Sequence, residues 1–477
     1  RKPARAHALT HARALAPLRQ ARRSCNRFYR VEAQAAVLQQ RPADVAWPPR
    51  RAYELLASQL LQGRNVCVST AIRKARDRVE QEQQQEEERQ QEPSSEITKQ
   101  EQADSRMSDS ESNSDELLSI WSSNGSVSSA AEGKVVLVTG GAGFIGSHTA
   151  EVLLGRGDSV VVIDEMNDYY DVDMKRGNIA LLEAAARDES QFTFYEGDIS
   201  DKKLVEQIFV DHGITHVCHL AARAGVRPSI KDPFLYVQSN VTGTVTLLEA
   251  AAKHGVENFV YASSSSVYGG SDKTVFSEDD SVDKPVSQYA ATKKACELMA
   301  ATYHSLYGLN TTGLRFFTVY GPRGRPDMAP FKFMHRVVNG IQIERYGDGS
   351  SARDYTFISD IVAGTVLAID KPLGCEVVNL GKGNTCKLND FIATIERLCN
   401  RRAIIKVLPD QPGDVPYTCA SVDRARELLG YSAKVQLEEG LQRTLTWYSD
   451  FMQQKPQRDE VQREQQLQVV QEQSVLA

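Results

Sequence analysis

The sequence lacks the features that mark membrane, secreted and zinc-binding proteins. No run of roughly 18 consecutive apolar residues occurs, so no transmembrane helix is predicted. The eight cysteines show no CxxC or CxH spacing, which argues against a zinc site and for reduced thiols. The net charge of −6 gives no indication of nucleic-acid binding. We therefore expect a cytoplasmic protein that binds neither membranes nor nucleic acid and holds no metal.

Both ends of the chain are also poor in apolar residues. The start is rich in Arg and Ala, and a later stretch, "VEQEQQQEEERQQEPSSEITKQEQ", is almost wholly polar. Such segments bury too little apolar surface to offset the entropy of ordering, so 1–132 and 453–477 are predicted to be largely disordered. The first methionine, Met107, opens a Ser-rich lead into the first strand. We expect translation to begin there, rather than the Arg-rich start to be an organelle transit peptide.

Regular patterning begins at residue 133. The segment "KVVLVTGGAGFIGSHTAEVLLGRG" predicts a buried strand, a glycine turn and a helix. The segments "DSVVVID", "QFTFYEGDI", "ITHVCHLAA" and "ENFVYASSS" predict four more strands, separated by stretches of helical length. Strands that alternate with helices in this way predict an α/β fold with a doubly wound parallel sheet.

The glycine turn follows a strand and opens a helix, which is the context of a dinucleotide-binding fingerprint. Gly140, Gly143 and Gly146 would let the backbone approach a pyrophosphate at the helix N-terminus. Asp164, at the end of the second strand, is placed to accept hydrogen bonds from a ribose diol and to repel a 2′-phosphate, which favours NAD over NADP. Asp198 either reaches the adenine amine or caps the following helix.

Tyr289 and Lys293 stand four residues apart in "SQYAATKKACELMA". On a helix the two side chains lie on one face. A phenol alone is a poor base at neutral pH, but a neighbouring ammonium stabilises its phenolate. The pair is therefore a candidate acid/base. This interpretation is strengthened by the order of the motifs, because the pair follows the glycine turn, the acidic strand end and the serine-rich strand end.

With these motifs the chain resembles the extended short-chain dehydrogenase/reductase family, in particular its nucleotide-sugar epimerases and dehydratases, from about Lys134 to Tyr448. The resemblance implies a Rossmann fold and a catalytic triad of Ser264, Tyr289 and Lys293, although Ser263 and Ser265 lie close enough to be alternatives to Ser264. The predicted cofactor-binding residues are Gly140, Gly143, Phe144, Ile145, Gly146, Asp164, Asp198, Ile199, Asn240, Tyr289 and Lys293.

The serine run "SSSSVYG" also bears on the type of reaction. Relatives that dehydrate or decarboxylate the oxidised sugar typically carry an acid two residues after the triad serine or threonine. Ser266 occupies that position here, and a hydroxyl is a poor general acid or base at neutral pH. The site is therefore expected to support hydride and proton transfer at C4 only, which is epimerisation.

The second half is predicted to bind the sugar nucleotide. The block "TTGLRFFTVYGPRGRPDMAPFKF" resembles that of UDP-glucuronate 4-epimerases, and the resemblance implies that Thr318 and Arg325 hold the C6 carboxylate. Galactose-type epimerases typically have Asn in place of Thr318. Arg353 would bind the UDP pyrophosphate, or else pair with a nearby aspartate. Arg227 would orient the uronate, or else be an ordinary loop arginine. Ser264 and Ser265 complete the predicted substrate site.

The sequence thus predicts NAD-dependent 4-epimerisation of UDP-glucuronate to UDP-galacturonate. The alternatives are a UDP-glucuronate decarboxylase, a UDP-glucose/galactose 4-epimerase, and a non-catalytic NAD-binding regulator. Residues 133–310 are expected to form the NAD-binding domain, and 311–452 a smaller, partly interleaved α/β domain for the substrate. A homodimer through two helices per subunit, one of them carrying Tyr289, is the family expectation.

Overall fold

The computed structural model describes residues 133–410 and 415–453. The predictions for 1–132, including a start at Met107, and for the tail beyond residue 453 lie outside the described residues. Within the described residues, no helix is both long and apolar enough to cross a membrane.

The first part of the described chain alternates strands and helices, as predicted. The strands are β1 (Val135–Thr139), β2 (Ser159–Asp164), β3 (Phe192–Glu196), β4 (His216–His219) and β5 (Asn258–Ser264). The helices are α1 (Phe144–Arg156), α2 (Val172–Ala185), α3 (Lys202–His212), α4 (Val226–Lys231), α5 (Pro233–Tyr236), a π-helix (Val237–Thr242), α6 (Gly243–Lys253), a 3₁₀ turn (Ser265–Tyr268) and α7 (Gln288–Tyr307).

The remaining elements follow residue 310. The strands are β6 (Thr311–Phe316), β7 (Thr318–Tyr320), β8 (Ile343–Tyr346), β9 (Ala352–Arg353), β10 (Tyr355–Phe357), β11 (Cys375–Leu380), β12 (Cys386–Lys387), β13 (Ile405–Leu408) and β14 (Tyr417–Thr418). The helices are α8 (Ala329–Val338), α9 (Ile358–Asp370), α10 (Leu388–Leu398), α11 (Asp423–Leu429) and α12 (437–453).

Seven strands form one parallel sheet in the order β11-β6-β5-β4-β1-β2-β3. The order reverses direction between β1 and β4, which is the point where open α/β sheets bind ligands beyond the carboxyl ends of their strands. The predicted fold class, a doubly wound parallel sheet of the Rossmann type, is confirmed.

The last two strands of this sheet come from beyond residue 310. β6 pairs with β5, and β11 pairs with β6. The rest of the second half forms three small sheets, β10-β7, β12-β9-β14 and β13-β8. Because β6 and β11 belong to the large sheet, the two predicted domains interleave, and the boundary at residue 310 remains a prediction.

Helices cover both faces of the sheet and bury its strands. Along β1, Val136 and Val138 pack into the cluster that contains α1 and α9, whereas Leu137 packs on the opposite side against α3 and α6. This alternation follows from the period of two in a strand, and burial on both faces explains why β1 reads as an unbroken apolar run.

A buried ion pair ties α7 to the sheet. Glu297 on α7 accepts hydrogen bonds from Nε and Nη2 of Arg315 on β6, at 2.8 and 2.9 Å. The side chains of both residues are almost fully buried. Ser263 on β5 donates to the same carboxylate at 2.6 Å, and Arg315 Nη1 donates to the Tyr268 hydroxyl at 3.0 Å. Tyr268 in turn donates to Asn379 on β11, so one network connects α7 with three adjacent strands.

Replacing Arg315 with Met is expected to lower the free energy of unfolding by about 3–5 kcal/mol, because Glu297 would be left charged and unpaired in the interior. The double variant Arg315→Met/Glu297→Gln is expected to recover part of that loss, since the buried charge is gone. Denaturant-induced unfolding measures both differences.

The control is Arg397→Met, which removes an exposed ion pair with Glu438 and is expected to leave the unfolding free energy close to that of the parent. Equal losses in the single and double variants would contradict the argument from the unpaired charge.

Candidate active site

A cavity of about 440 Å³ opens at the carboxyl ends of β1, β2, β4 and β5, where the strand order reverses. Its walls come from the glycine turn, the loops after β2, β3 and β4, the serine segment, the start of α7, and residues 316–328. The predicted site residues that line it are Gly140, Gly143, Phe144, Ile145, Gly146, Asp164, Asp198, Ile199, Ser264, Ser265, Tyr289, Lys293, Thr318 and Arg325.

The glycine turn presents bare backbone to this cavity. Gly140 has φ +70°, and a Cβ atom there would lie 2.8 Å from the backbone of Ala221. A Cβ atom on Gly146 would overlap the carbonyl of Gly140, so α1 could not pack this close to the turn with any other residue. Gly143 is the N-cap of α1 and has no side chain to satisfy the first amides of the helix. The turn therefore offers a cradle and a helix N-terminus suited to a pyrophosphate.

Asp164 stands buried at the end of β2. Its carboxylate accepts the amide of Met166 at 3.0 Å and lies 3.8 Å from Nζ of Lys175. Burial raises the pKa of Asp164, while Lys175 and backbone hydrogen bonds act in the opposite direction. Lys175 is itself buried, with Nζ donating to the carbonyl of Asn167 at 2.8 Å. A carboxylate held at this position suits a neutral hydroxyl pair and disfavours a phosphate.

Asp198 does not cap the following helix, which was the alternative to its cofactor role. Asp201 is the N-cap of α3 and accepts the amides of Lys203 and Leu204. Asp198 instead accepts the amide of Ser200 at 2.8 Å and lies at the cavity wall.

The four serines after β5 are not equivalent. Ser263 donates its hydroxyl proton to Glu297, at 2.6 Å, and so serves the buried ion pair. The Ser264 hydroxyl oxygen accepts the amide of Ser266 at 3.2 Å, an arrangement that leaves its own proton for another acceptor. Ser265 and Ser266 begin the 3₁₀ turn at the cavity wall. Of the two buried serines, Ser264 is thus the one whose proton the protein does not already use.

Tyr289 and Lys293 lie on the first turns of α7, which Ser287 caps. Nζ of Lys293 is buried and donates to the carbonyl of Ala262 on β5 at 2.8 Å. The ring of Tyr289 packs edge-on against Tyr236, with centroids 6.3 Å apart. Helix α7 therefore delivers a phenol and an ammonium to the cavity beside the serine segment.

Thr318 and Arg325 also line the cavity. The amide of Thr318, at the start of β7, donates to the carbonyl of Asp354 at 3.0 Å. Arg325 lies in the loop between β7 and α8, where its guanidinium contacts Asp327 and the ring of Tyr169. The part of the chain beyond residue 310 thus contributes a threonine and an arginine to the cavity.

Three predicted site residues do not line the cavity. Asn240 lies behind the wall, where its side-chain amide hydrogen-bonds with the backbone N–H and carbonyl of Arg223 and with the hydroxyl of Thr292.

Arg227 stacks its guanidinium on the ring of Tyr346, 4.7 Å from the centroid. Arg353 is on β9, outside the wall. Its neighbour Asp354 bonds the amides of Lys382, Gly383 and Ala420. The binding roles assigned to these three residues remain predictions.

Sequence reasoning missed several wall residues. Tyr169, Tyr170 and Lys175 come from the "NDYYDVDMKR" segment, and Arg223 follows β4. Burial raises the pKa of the Tyr170 hydroxyl, whose ring lies 5.1 Å from Nζ of Lys175. The available signal was the pair of consecutive tyrosines in a polar loop after an acidic strand end. Large aromatic side chains in such a loop indicate that the loop packs against another part of the protein or against a ligand.

Comparisons with known proteins agree with this geometry. The model of the family described as GDP-mannose 4,6 dehydratase matches residues 137–444. The chain belongs to this family of extended short-chain dehydrogenases/reductases.

Its relatives narrow the class further. A UDP-glucuronate 4-epimerase of Thermodesulfobacterium geofontis is 45% identical over 312 residues, which cover 65% of this chain and 95% of the relative. UDP-glucuronate 4-epimerase 4 of Arabidopsis thaliana is 44% identical over 339 residues, which cover 67% of this chain and 76% of the relative. These matches confirm the resemblance that the motifs indicated.

A solved structure gives the same result. The UDP-glucuronic acid 4-epimerase of Bacillus cereus, in complex with UDP-glucuronic acid and NAD, superposes with a TM-score of 0.62 and 36% identity. The match covers 66% of this chain and 99% of that one.

Proposed function

We propose that this protein is an NAD-dependent UDP-glucuronate 4-epimerase, an isomerase that interconverts UDP-glucuronate and UDP-galacturonate. One observation carries the proposal: Ser264, Tyr289, Lys293, Thr318 and Arg325 all line a single cavity. The first three can move a proton at a sugar hydroxyl, and the last two can hold a carboxylate. The names of the relatives, UDP-glucuronate 4-epimerases, indicate the substrate.

The glycine turn and Asp164 fit NAD, since the cradle has no room for a Cβ atom on Gly140 or Gly146 and the acidic strand end disfavours a 2′-phosphate. The chemistry that NAD supplies when bound is reversible hydride transfer at C4. Tyr289 takes the proton from the C4 hydroxyl and later returns it. Ser264 orients that hydroxyl through its available proton, and Lys293, fixed by the Ala262 carbonyl, stabilises the phenolate charge.

The uronate imposes a further demand. Oxidation at C4 places a ketone β to the carboxylate, and a β-keto acid loses CO₂ readily when the C5–C6 bond aligns with the carbonyl π system. Thr318 and Arg325 hold the carboxylate away from that alignment while the ring turns to present its other face. Epimerisation without loss of CO₂ therefore depends on the angle at which the carboxylate is held relative to the C4 carbonyl.

The structure bears on the alternatives as well. The hydroxyl of Ser266 lies at the wall where a decarboxylase or dehydratase would need an acid. Thr318 and Arg325 at the cavity favour a uronate over the neutral sugar of a UDP-glucose/galactose 4-epimerase. The convergence of Tyr289 and Lys293 with an available serine proton argues against a non-catalytic regulator.

Incubating the purified full-length protein with UDP-glucuronate and no added cofactor is expected to yield UDP-galacturonate of unchanged mass. Mass spectrometry and analysis of sugar identity measure this outcome. Loss of CO₂ would contradict the argument that Ser266 restricts the enzyme to epimerisation. Turnover of UDP-glucose but not of UDP-glucuronate would contradict the assignment of Thr318 and Arg325 to the carboxylate.

Replacing Tyr289 with Phe is expected to lower kcat by about 10²–10⁴-fold, because the acid/base group is lost while the ring still packs on Tyr236. NAD content, read from the absorbance of the denatured protein, should match the parent. The matched control is Tyr303→Phe on the same helix, whose hydroxyl contacts Glu249 away from the cavity. A Tyr289→Phe enzyme with nearly full activity would assign the proton transfer to another group.

We also infer a homodimer in the cytoplasm. Within the described residues all six cysteines are free thiols, as a reducing compartment would keep them. Large apolar side chains are exposed on α7, with Leu298 57% and Leu306 67% accessible, and on the adjoining helical segment, with Phe234 84% accessible. Exposed apolar surface on two neighbouring helices suits a second copy of the same surface.

The protein is expected to sediment as a dimer, and the variant Leu298→Lys/Leu306→Lys as a monomer, because lysine would place charge in an apolar interface. Val407→Lys, at an equally exposed apolar position on β13, serves as the control and should remain dimeric. Analytical ultracentrifugation distinguishes the species. A monomeric parent would rule out the inference.

A further inference from the structure

The guanidinium of Arg325 is clamped by two neighbours rather than left mobile. Nε donates to Oδ1 of Asp327 at 3.0 Å, and Nη2 donates to Oδ2 at 2.7 Å. The guanidinium carbon lies 5.2 Å from the centroid of the Tyr169 ring, within the range of a cation–π contact. The carboxylate takes the Nε edge and the aromatic ring takes one face.

These contacts leave one edge of the fork for a ligand. An arginine has five N–H donors in a rigid plane, and Asp327 uses one on Nε and one on Nη2. A weaker contact joins Nη2 to the Tyr169 hydroxyl at 3.4 Å. Among the described residues, Nη1 donates to no protein acceptor, so the edge formed by Nη1 and Nη2 keeps two parallel N–H groups, one on each nitrogen, with only the long contact to the Tyr169 hydroxyl beside it. Since Arg325 lines the cavity, this edge can donate to a second carboxylate in bidentate fashion.

Tyr169 is itself held in place from the cofactor half. Its amide donates to Oδ1 of Asn167 at 3.1 Å, and the carbonyl of Asn167 accepts Nζ of Lys175 at 2.8 Å. Its hydroxyl lies 3.2 Å from the Ala224 carbonyl and 3.4 Å from Oδ2 of Asp327. The loop that follows β2 therefore contacts Arg325 and Asp327, which lie in the loop between β7 and α8.

We propose that Tyr169 and Asp327 are positioning residues that fix the guanidinium of Arg325, and that they thereby set both selectivity for a uronate and suppression of decarboxylation. The inference rests on the proposed function and deepens it. A long arginine side chain has several rotamers, and the contacts with Asp327 and Tyr169 hold it in the one that lines the cavity.

The charge on Asp327 does not cancel this role. Its side chain is 39% accessible, whereas that of Arg325 is 18% accessible, so solvent screens the repulsion between Asp327 and a bound uronate. The charge-assisted hydrogen bonds to Arg325 are direct and directional. We therefore expect the orienting effect of Asp327 on Arg325 to exceed its competition with the substrate carboxylate for the guanidinium.

The experiment compares Asp327→Asn, Tyr169→Leu and Tyr169→Phe. An amide at position 327 would present N–H groups to Nη2, and a leucine at position 169 would remove the ring, so both changes release the guanidinium. For each we expect KM for UDP-glucuronate to rise about tenfold or more, with a smaller change in kcat and a new product that has lost CO₂. Tyr169→Phe keeps the ring but loses the hydroxyl contacts with Ala224 and Asp327, so its KM should rise less than that of Tyr169→Leu.

Two readouts separate positioning from general damage. The inhibition constant of UDP-glucose, which has no carboxylate, should not change in any variant, and NAD content should stay constant. Asp423→Asn, which breaks an exposed pair with Arg426, is the matched control.

An unchanged or lower KM in Asp327→Asn would overturn the inference, as would an equal weakening of UDP-glucose binding. A parent enzyme that does not turn over UDP-glucuronate would instead refute the proposed function, so the two failures are distinguishable.

Discussion

The site depends on the buried pair between Glu297 and Arg315. Burial alone would raise the pKa of Glu297, but the hydrogen bonds and charge of Arg315 outweigh it and keep the pKa below its usual value. A charge in the interior is tolerated only when its partners are complete, and here Ser263 and Lys294 supply the remaining hydrogen bonds. The pair therefore holds α7 against β5 and β6, and the candidate catalytic residues Ser264, Tyr289 and Lys293 take their positions from that packing.

Helix α7 transmits this constraint to the chemistry. Tyr289, Lys293 and Glu297 are spaced four residues apart, so all three lie on one stripe of the helix that faces the sheet. Glu297 anchors the deep end, Lys293 bonds the β5 backbone in the middle, and Tyr289 reaches the cavity at the open end. The use of Ser263 as a structural donor to Glu297 is what distinguishes it from Ser264.

The cofactor half was largely predictable because its signals are local. The apolar run of β1, the glycine turn and the acid at the end of β2 each follow from a short stretch of sequence, and the parallel sheet brings their ends together. The contacts between Tyr169 and Asp327 or between Glu297 and Arg315 could not be predicted, because crossovers of the chain create them. The hydrogen bonds of Asn240 to the Arg223 backbone and Thr292 are equally invisible in the sequence, and its predicted contact with the cofactor stays a prediction.

The two walls of the cavity meet different physical demands. Backbone amides and glycines on the cofactor side need no further support, since the sheet and α1 hold them rigidly. Under the proposed function, the carboxylate of the substrate is held by the long side chain of Arg325, whose position depends on its contacts with Asp327 and Tyr169. A 4-keto uronate loses CO₂ once its C5–C6 bond aligns with the C4 carbonyl. A mobile arginine would not prevent that alignment. Under the proposed function, Asp327 and Tyr169 therefore affect the outcome of the reaction through the position that they give Arg325.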